Sequence, residues 1–394
     1  MNLTTPVNAT IADNQGLGTI LNDDTPLIQF NSATYSIGEG DVNTPEGFAS
    51  LTVQVNRTGD TSGAATVRYA THDLSGNAEC DVANTGNASQ RCDYLMLSGT
   101  LRFAPGEALK IFRIPIVNDG YVEGPEQFTI DLTNVTGATL GPASLTTVTI
   151  TDNDTTATDG AHNPYLNNSF FVRMHYVDFL EREPDTLGFN DWVSVLNNCN
   201  PNQGFLGAPA NCDRSHISKG FFGATEFIDR GFLIYRLFDV GLARLPDYGT
   251  EYNPDSAQLR GFGLTPAEIQ GNLDNYLAEL GARPEFATRY ASVSGNNTSA
   301  ATALIQMLET TAGVTLPTTF VEQKVVYDKE FPGGFVTMQY FAYLHRNPDM
   351  AGRADWLDVL LNGRPSQGVA PGDYRRLIFG FIYSTEYRKR FGQP

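Results

Sequence analysis

The chain has 394 residues, 41% of them hydrophobic, and a formal net charge of −18. That is enough for two or three domains with cores of their own. Residues 1–154 hold 18 acids against six bases, and residues 155–394 hold 26 against 20. Such a field disfavours nucleic acid and anionic membrane surfaces and favours divalent cations, and no apolar run approaches the ~18 residues of a membrane span.

In chain order, the N-terminal "MNLTTPVN" lacks the basic and apolar regions of a secretory signal. From Pro26 to about Asp154, six stretches from "ASLTVQVNRTG" to "TTVTITDND" alternate apolar and polar residues. They are rich in Val, Ile, Thr and Phe and are separated by turns such as "RTGDTSG" and "APGE". The pattern predicts an antiparallel sandwich of about seven short strands. "TTATDGAHNP" (155–164) reads as a small polar linker. Beyond it the period becomes helical: "SFFVRMHYVDFLERE" carries one apolar face, and "TPAEIQGNLDNYLAEL" opens with a capping Thr265, Pro266 and Glu268. Residues 165–394 are therefore expected to be all-α.

The helical part repeats itself. Residues 171–198 align without gaps to 335–362, half of them identical, and "GATEF" (223–227) answers "YSTEY" (383–387). We expect a duplicated helical module, with units at about 169–230 and 333–391. Its phrase Arg-x-Pro-Asp-x-x-Gly-x-x-x-Trp has a structural reading. Arg182 and Arg346 close a first helix, and Pro184 and Pro348 stop it. Asp185 and Asp349 cap the next helix, and Trp192 and Trp356 anchor the pair. Arg182 and Arg346 are expected to pair with Glu226 and Glu386. The alternative is a sugar-binding groove lined by the Arg, Asp and Trp residues; a glycosidase would need two opposed carboxylates, and no pair stands out.

The cysteines form two local couples, Cys80 with Cys92 and Cys199 with Cys212, each bracketing an insertion. Disulfides and an exported chain are one reading, free thiols or a zinc site the other. The acids of the first part cluster at "IGEGD" (37–41), "RCDY" (91–94), "VNDGYVEGPE" (117–126) and "TDND" (151–154). Each cluster falls at a strand end or loop, and a sandwich gathers such loops at its poles. Carboxylates brought together need a hard cation, and calcium accepts six to eight oxygens in flexible geometry. No His-Glu-x-x-His pair, Gly-x-Ser-x-Gly elbow or phosphate-binding loop is present, so no catalytic residue is assigned.

"IQFNSATYSIGEGD", "VNRTGDTSGAATVRYAT", "CDYLMLSGTLRFAPGE", "IPIVNDGYVEGPEQFTIDLTN" and "ATLGPASLTTVTITDND" resemble the Calx-beta family over residues 26–154. The resemblance implies an immunoglobulin-like sandwich, Ca2+ as cofactor, and a ligand set of Glu39, Asp93, Asp119, Glu123, Glu126, Asp152 and Asp154 with the Tyr121 carbonyl. Asn118 and Asn153 stand where acid-rich members carry aspartate, which implies fewer ions or weaker binding. "GTILNDD" (18–24) parallels "VTITDND" (148–154), so residues 1–24 are expected to be the last strand of a preceding Calx-beta repeat, with the signal peptide upstream of this fragment. "FLEREPDTLGFNDW", "YLHRNPDMAGRADW" and "STEYRKRFG" resemble domain-of-unknown-function family 4214 over about 165–394, which implies an exported helical module without an established activity.

The expected function is a non-enzymatic, calcium-binding structural or adhesion module of a secreted or cell-surface bacterial protein, its calcium stiffening a tandem array. Its partners would be other surface proteins or an extracellular polymer. The alternatives are an extracellular polysaccharide-binding module and a polysaccharide-acting enzyme with its site among the helices.

Overall fold

The computed structural model describes residues 3–13, 15, 18, 24–40, 48–74, 80, 86–155, 163–198, 213–261, 263–289 and 324–393, without the side chains of Val240 and residues 324–330. The linker (mostly 156–162), Cys199, Cys212 and most of the strand expected at 18–24 lie outside the described residues.

Among the described residues, nine strands form two sheets. They are β1 (Leu27–Phe30), β2 (Thr34–Gly38), β3 (Ser50–Thr58), β4 (Ala65–Asp73), β5 (Ser98–Phe103), β6 (Leu109–Pro115), β7 (Glu126–Thr136), β8 (Thr139–Leu140) and β9 (Leu145–Thr151). One sheet has the order β6-β3-β1-β8, the other β2-β9-β7-β4-β5. The alternation seen in sequence is the alternation of burial. Along β3 every second residue is buried, and Val53, Val55, Val67, Phe128, Ile130 and Val148 face the core without solvent contact, or nearly so.

Two features differ from the expected antiparallel, seven-strand sandwich. The first strand region splits at Asn31–Ala33, so that β1 joins one sheet and β2 the other, and the short β8 adds a further strand. Both β1–β8 and β2–β9 are parallel pairs. Once the chain crosses from one sheet to the other, β2 leaves in the direction of β9. That single parallel pairing sets the end of β2 (Gly38) opposite the end of β9 (Thr151), while the antiparallel β7 begins at Glu126 opposite Ile150. Three acidic segments are thereby brought to one pole.

The helices are α1 (Asn168–Leu180), α2 (Thr186–Asn197), α3 (Arg214–Phe222), α4 (Thr225–Phe227), α5 (Leu233–Leu242), α6 (Asn253–Gln258), α7 (Pro266–Ala282), α8 (Pro284–Arg289), α9 (Lys324–Leu344), α10 (Met350–Asn362), α11 (Tyr374–Ile382) and α12 (Thr385–Arg388). α7 opens with the predicted capping box of Thr265 and Glu268. α1 departs from the expected single apolar face: Phe170 through Val177 are buried on every side. It is a central helix, and rings from its own repeat and from α9 pack around it.

The repeated phrase is built twice with nearly the same geometry. Arg182 Nε and Nη2 donate to the two Glu226 carboxylate oxygens at 2.9 and 3.0 Å, and Arg346 does so to Glu386 at 2.6 and 2.9 Å. Each guanidinium also lies over a tyrosine ring, Tyr176 at 5.1 Å and Tyr340 at 5.2 Å. Asp185 Oδ1 accepts from Gly188 N and Asp349 Oδ1 from Gly352 N, the capping bonds of α2 and α10. Trp192 and Trp356 lie against Gly220 of α3 and Gly380 of α11, where a Cβ would collide with the indole. The first helix of each unit ends in a left-handed residue, Glu181 (φ 50°) and His345 (φ 48°). A further pair escaped sequence reading: Arg230 donates to Phe179 O and Arg390 to Tyr343 O, each at 2.8 Å. The signal was present, because both arginines fall five residues after the Thr of "TEF" and "TEY".

His175 of α1 is fully buried. Its Nδ1–H donates to Phe171 O at 2.8 Å, leaving Nε2 to accept from the Ser218 hydroxyl at 2.7 Å. Burial pushes the imidazole down to about 4.

Two outcomes follow from this packing. Gly220→Ala places a methyl 2.6 Å from Trp192 Cη2 and should destabilise the chain by about 1–3 kcal/mol in denaturant titration. His175 binds its proton more weakly folded than unfolded, so its contribution is complete above the unfolded value near 6.5 and falls as pH drops toward 4. The loss is on the order of 3 kcal/mol. His175→Gln, the residue at the equivalent position 339, should flatten stability-versus-pH over that window.

Candidate metal centre

The pole at the ends of β2 and β9 and the start of β7 gathers the acidic segments. Glu39 follows β2, Asp119 and Glu123 stand in the loop between β6 and β7, Glu126 opens β7, and Asp152 and Asp154 follow β9. Asp93 comes from the segment before β5. It is held there by a Ser89 N–H donated to Asp93 Oδ2 at 2.6 Å and by Val117 N–H donated to its carbonyl at 2.9 Å. The Cys80–Cys92 disulfide, with Cα atoms 5.7 Å apart, ties this segment down immediately before Asp93. Closing a loop of this size contributes about 3 kcal/mol in the chain-entropy account.

Three overlapping constellations result. Glu39, Asp152 and Asp154 form one, Glu39, Asp119 and Glu123 a second, and Asp93, Glu123 and Glu126 a third; within each, one oxygen per residue lies within 4.8 Å of the others. Glu39 belongs to two of them and Glu123 to two. Glu39, Asp93, Asp119, Glu123 and Glu126 are each at most 5% exposed.

Burial and mutual repulsion act together here. Burial, then Asp152 and Asp154, push Glu39 up to about 9. Burial, then Asp93, Asp152 and Asp154, push Glu123 up to about 8. Burial, then Asp93 and Glu123, push Glu126 up to about 10. Asp93 and Asp154 rise to about 6, and burial carries Asp119 well above the usual carboxylate range, with Glu123 adding to it. The charges that raise these groups are other carboxylates. Glu39 Oε2, Asp93 Oδ1 and Asp154 Oδ2 are buried without a hydrogen-bond partner. Such atoms are costly unless something positive meets them. An all-oxygen, strongly anionic donor set with several shared ligands fits a hard divalent cation of flexible coordination, calcium ahead of magnesium.

The other expected residues serve the frame. Asp152 Oδ2 accepts from Glu123 N and Gly124 N at 2.8 and 2.9 Å, and its Oδ1 from Asp154 N at 2.7 Å, so it joins the two loops. Asn118 and Asn153 both donate their side-chain amides to one acceptor, Gly40 O. An aspartate cannot donate, which gives the two asparagines a physical reason besides charge. Tyr121 donates its N–H to Asp119 Oδ1 at 2.8 Å, and its hydroxyl lies 2.9 Å from both Lys389 O and Gly392 O. That last contact, with the helical region, had no signal in the sequence.

A family model, the Calx-beta domain, matches residues 22–154. The chain is 32% identical over 139 residues to the extracellular matrix organizing protein FRAS1 of Mus musculus, a match covering 34% of this chain and 3% of that protein. It is 31% identical over 151 residues to sodium/calcium exchanger 1 of Bos taurus, covering 34% of this chain and 14% of that one. The chain therefore spans only a small fraction of these curated relatives. Among solved structures, the apo-form Calx CBD1 domain is 28% identical, with 33% of this chain and 99% of that chain covered and a TM-score of 0.27. The calcium binding domain CBD12 of CALX1.1 is 30% identical, with 34% and 50% covered and a TM-score of 0.26. The family model falls on the nine-stranded part: residues 22–154 form a Calx-beta domain.

Proposed function

We propose that this chain is a non-enzymatic, calcium-binding structural module of an exported or cell-surface protein. The observation that carries it is the set of five carboxylates, at most 5% exposed, converging with orphaned buried oxygens and no positive partner among the charges that raise them. The Glu39, Asp93, Asp119, Glu123, Glu126, Asp152 and Asp154 side chains would hold the metal. The sharing of Glu39 and Glu123 between groupings favours more than one ion. Names among the relatives support the setting: one is an extracellular matrix organizing protein and others are sodium/calcium exchangers. Calcium would neutralise the pole, fix the segment leading from Asp154 toward the helices, and stiffen an array of such domains in a bacterial surface protein. The helical part, with its Arg-Glu, Asp-cap and Trp-Gly pairs built twice, supports a duplicated module of the family-4214 kind.

A second reading rests on a cleft of about 750 Å3 between the sandwich and the helices. Arg68, His72, Asp131, Asn134, Thr250 and Asn347 line it, a mixture of donors and acceptors suited to a polysaccharide. A glycan array tests it; binding lost in Arg68→Ala and kept in chelator supports it over the calcium reading.

Two measurements test the metal site. Millimolar calcium should raise the melting temperature relative to chelator, by about 1.4 kcal/mol of stability per independent site at tenfold the Kd. Glu123→Gln should lose most of that gain, and Asp274→Asn, the same charge change on the exposed face of α7, should keep it. Calcium and chelator scans that superimpose refute the reading. Separately, Asn118→Asp removes a donor from Gly40 O and adds an acid at a site 9% exposed. In chelator it should cost about 1–3 kcal/mol, read from the denaturant midpoint.

A further inference from the structure

The loops that present the carboxylates also carry the contacts to the helical region. Tyr121 stands between Asp119 and Glu123, itself 7% exposed. Its main chain grips Asp119, and its hydroxyl shares its proton between the carbonyls of Lys389 and Gly392. Arg173 of α1, fully buried, donates to Ile116 O at 2.7 Å and Ala49 O at 3.2 Å, three residues before Asp119. The segment carrying Asp93 is held likewise. Arg390 Nε donates to Arg91 O at 2.5 Å, His345 Nδ1 lies 3.4 Å from Gln90 O, and Arg91 pairs with Glu386 at 3.3 Å. Two of the four ligand-bearing segments, those of Asp93 and of Asp119 and Glu123, therefore also contact the C-terminal segment 386–392.

Resting on the calcium reading, we propose that ion binding at the pole and docking of the helical region are one coupled equilibrium, with Tyr121 as the positioning residue that joins them. Without the ion, like charges push the loops apart and carry away the Ile116, Arg91 and Tyr121 groups that the helices hold. With the ion, the loops close and the docking surface is complete. Coupling of this kind is reciprocal: the factor by which calcium tightens docking is the factor by which docking tightens calcium, typically about 5- to 150-fold. The helical region thus acts as a clamp that raises calcium affinity, and calcium acts as the latch of that clamp.

The test uses the full chain. Hydrogen exchange is followed at the amides of Arg388, Lys389, Arg390 and Phe391, which are bonded to Ser384 O, Thr385 O, Tyr387 O and Arg388 O. Calcium should slow these amides at least about fivefold, although none of them contributes a ligand. Calorimetric titration should show Tyr121→Phe binding calcium about fivefold or more weakly with an unchanged number of ions. If the wild type binds calcium, unchanged exchange at 388–391 overturns the coupling and leaves the metal site standing. Equal calcium affinity in the wild type and a folded Tyr121→Phe also overturns it. If the wild type takes up no calcium, both readings fall together. The exchange measurement needs no variant, so a poorly folded Tyr121→Phe does not rescue the proposal.

Discussion

The constraint that organises this molecule is the confinement of like charge. Glu39, Asp93, Asp119, Glu123 and Glu126 are nearly excluded from solvent and face one another. In a low-dielectric setting each further ionised carboxylate costs several kcal/mol unless it is paired. The backbone relieves part of this: Ser89 N, Tyr121 N, Glu123 N, Gly124 N and Asp154 N all point at carboxylate oxygens. Those bonds go largely to Asp152 and to one oxygen each of Asp93 and Asp119. Glu39 Oε2, Asp93 Oδ1 and Asp154 Oδ2 are left without donors. The polypeptide thus relieves only part of the repulsion it creates.

That arrangement depends on topology. A purely antiparallel meander would not set the ends of β2 and β9 side by side. The crossover at Asn31–Ala33 and the parallel β2–β9 pair do so, and β7 then delivers Glu126 alongside. Asn118 and Asn153 lock the result from the β2 side by holding Gly40 O, whose residue has a left-handed φ of 87°. The two asparagines look like weakened ligands in a linear sequence. In three dimensions they are the donors that keep Glu39 in place.

Much of this was legible in the sequence, for identifiable reasons. Strand alternation, the capping box of α7 and the Arg-Pro-Asp corner are local, and the physics that sets them acts within a few residues. The acids of the pole were legible because they sit at strand ends, which a sandwich must collect. The repeated phrase was legible because residues 171–198 and 335–362 align without gaps, Trp192 and Trp356 included; that Gly220 and Gly380 lie beneath the two rings was not. The two parallel pairs were not legible, since the break in the first strand leaves no change of hydrophobic period. Nor was the burial of α1 on all sides, because a sequence shows one helix face and not what covers the others. The interdomain bonds of Tyr121, Arg173 and Arg390 to main-chain carbonyls were invisible in principle: a carbonyl acceptor has no residue identity.

The two copies of the repeated phrase meet each other and hold a third element. Phe179 and Tyr343 occupy the same position in the two copies, and their rings lie 5.2 Å apart. Two of the positions at which the copies differ bear on the sandwich. Asp178 of the first unit stands where the second has Ala342, and His345 of the second stands where the first has Glu181. The Asp178 side chain is fully buried and receives Arg390 at 3.1 Å and His345 at 3.0 Å, both from the second unit; burial pushes its carboxyl up, but Arg390, with His345 assisting, holds it below the usual range. Those same two residues then reach across to Arg91 O and Gln90 O. A buried charge of this kind tolerates no loss of partner without a cost of about 3–5 kcal/mol. The Asp178, Arg390 and His345 cluster thereby ties the two copies to each other and to the loop that presents Asp93.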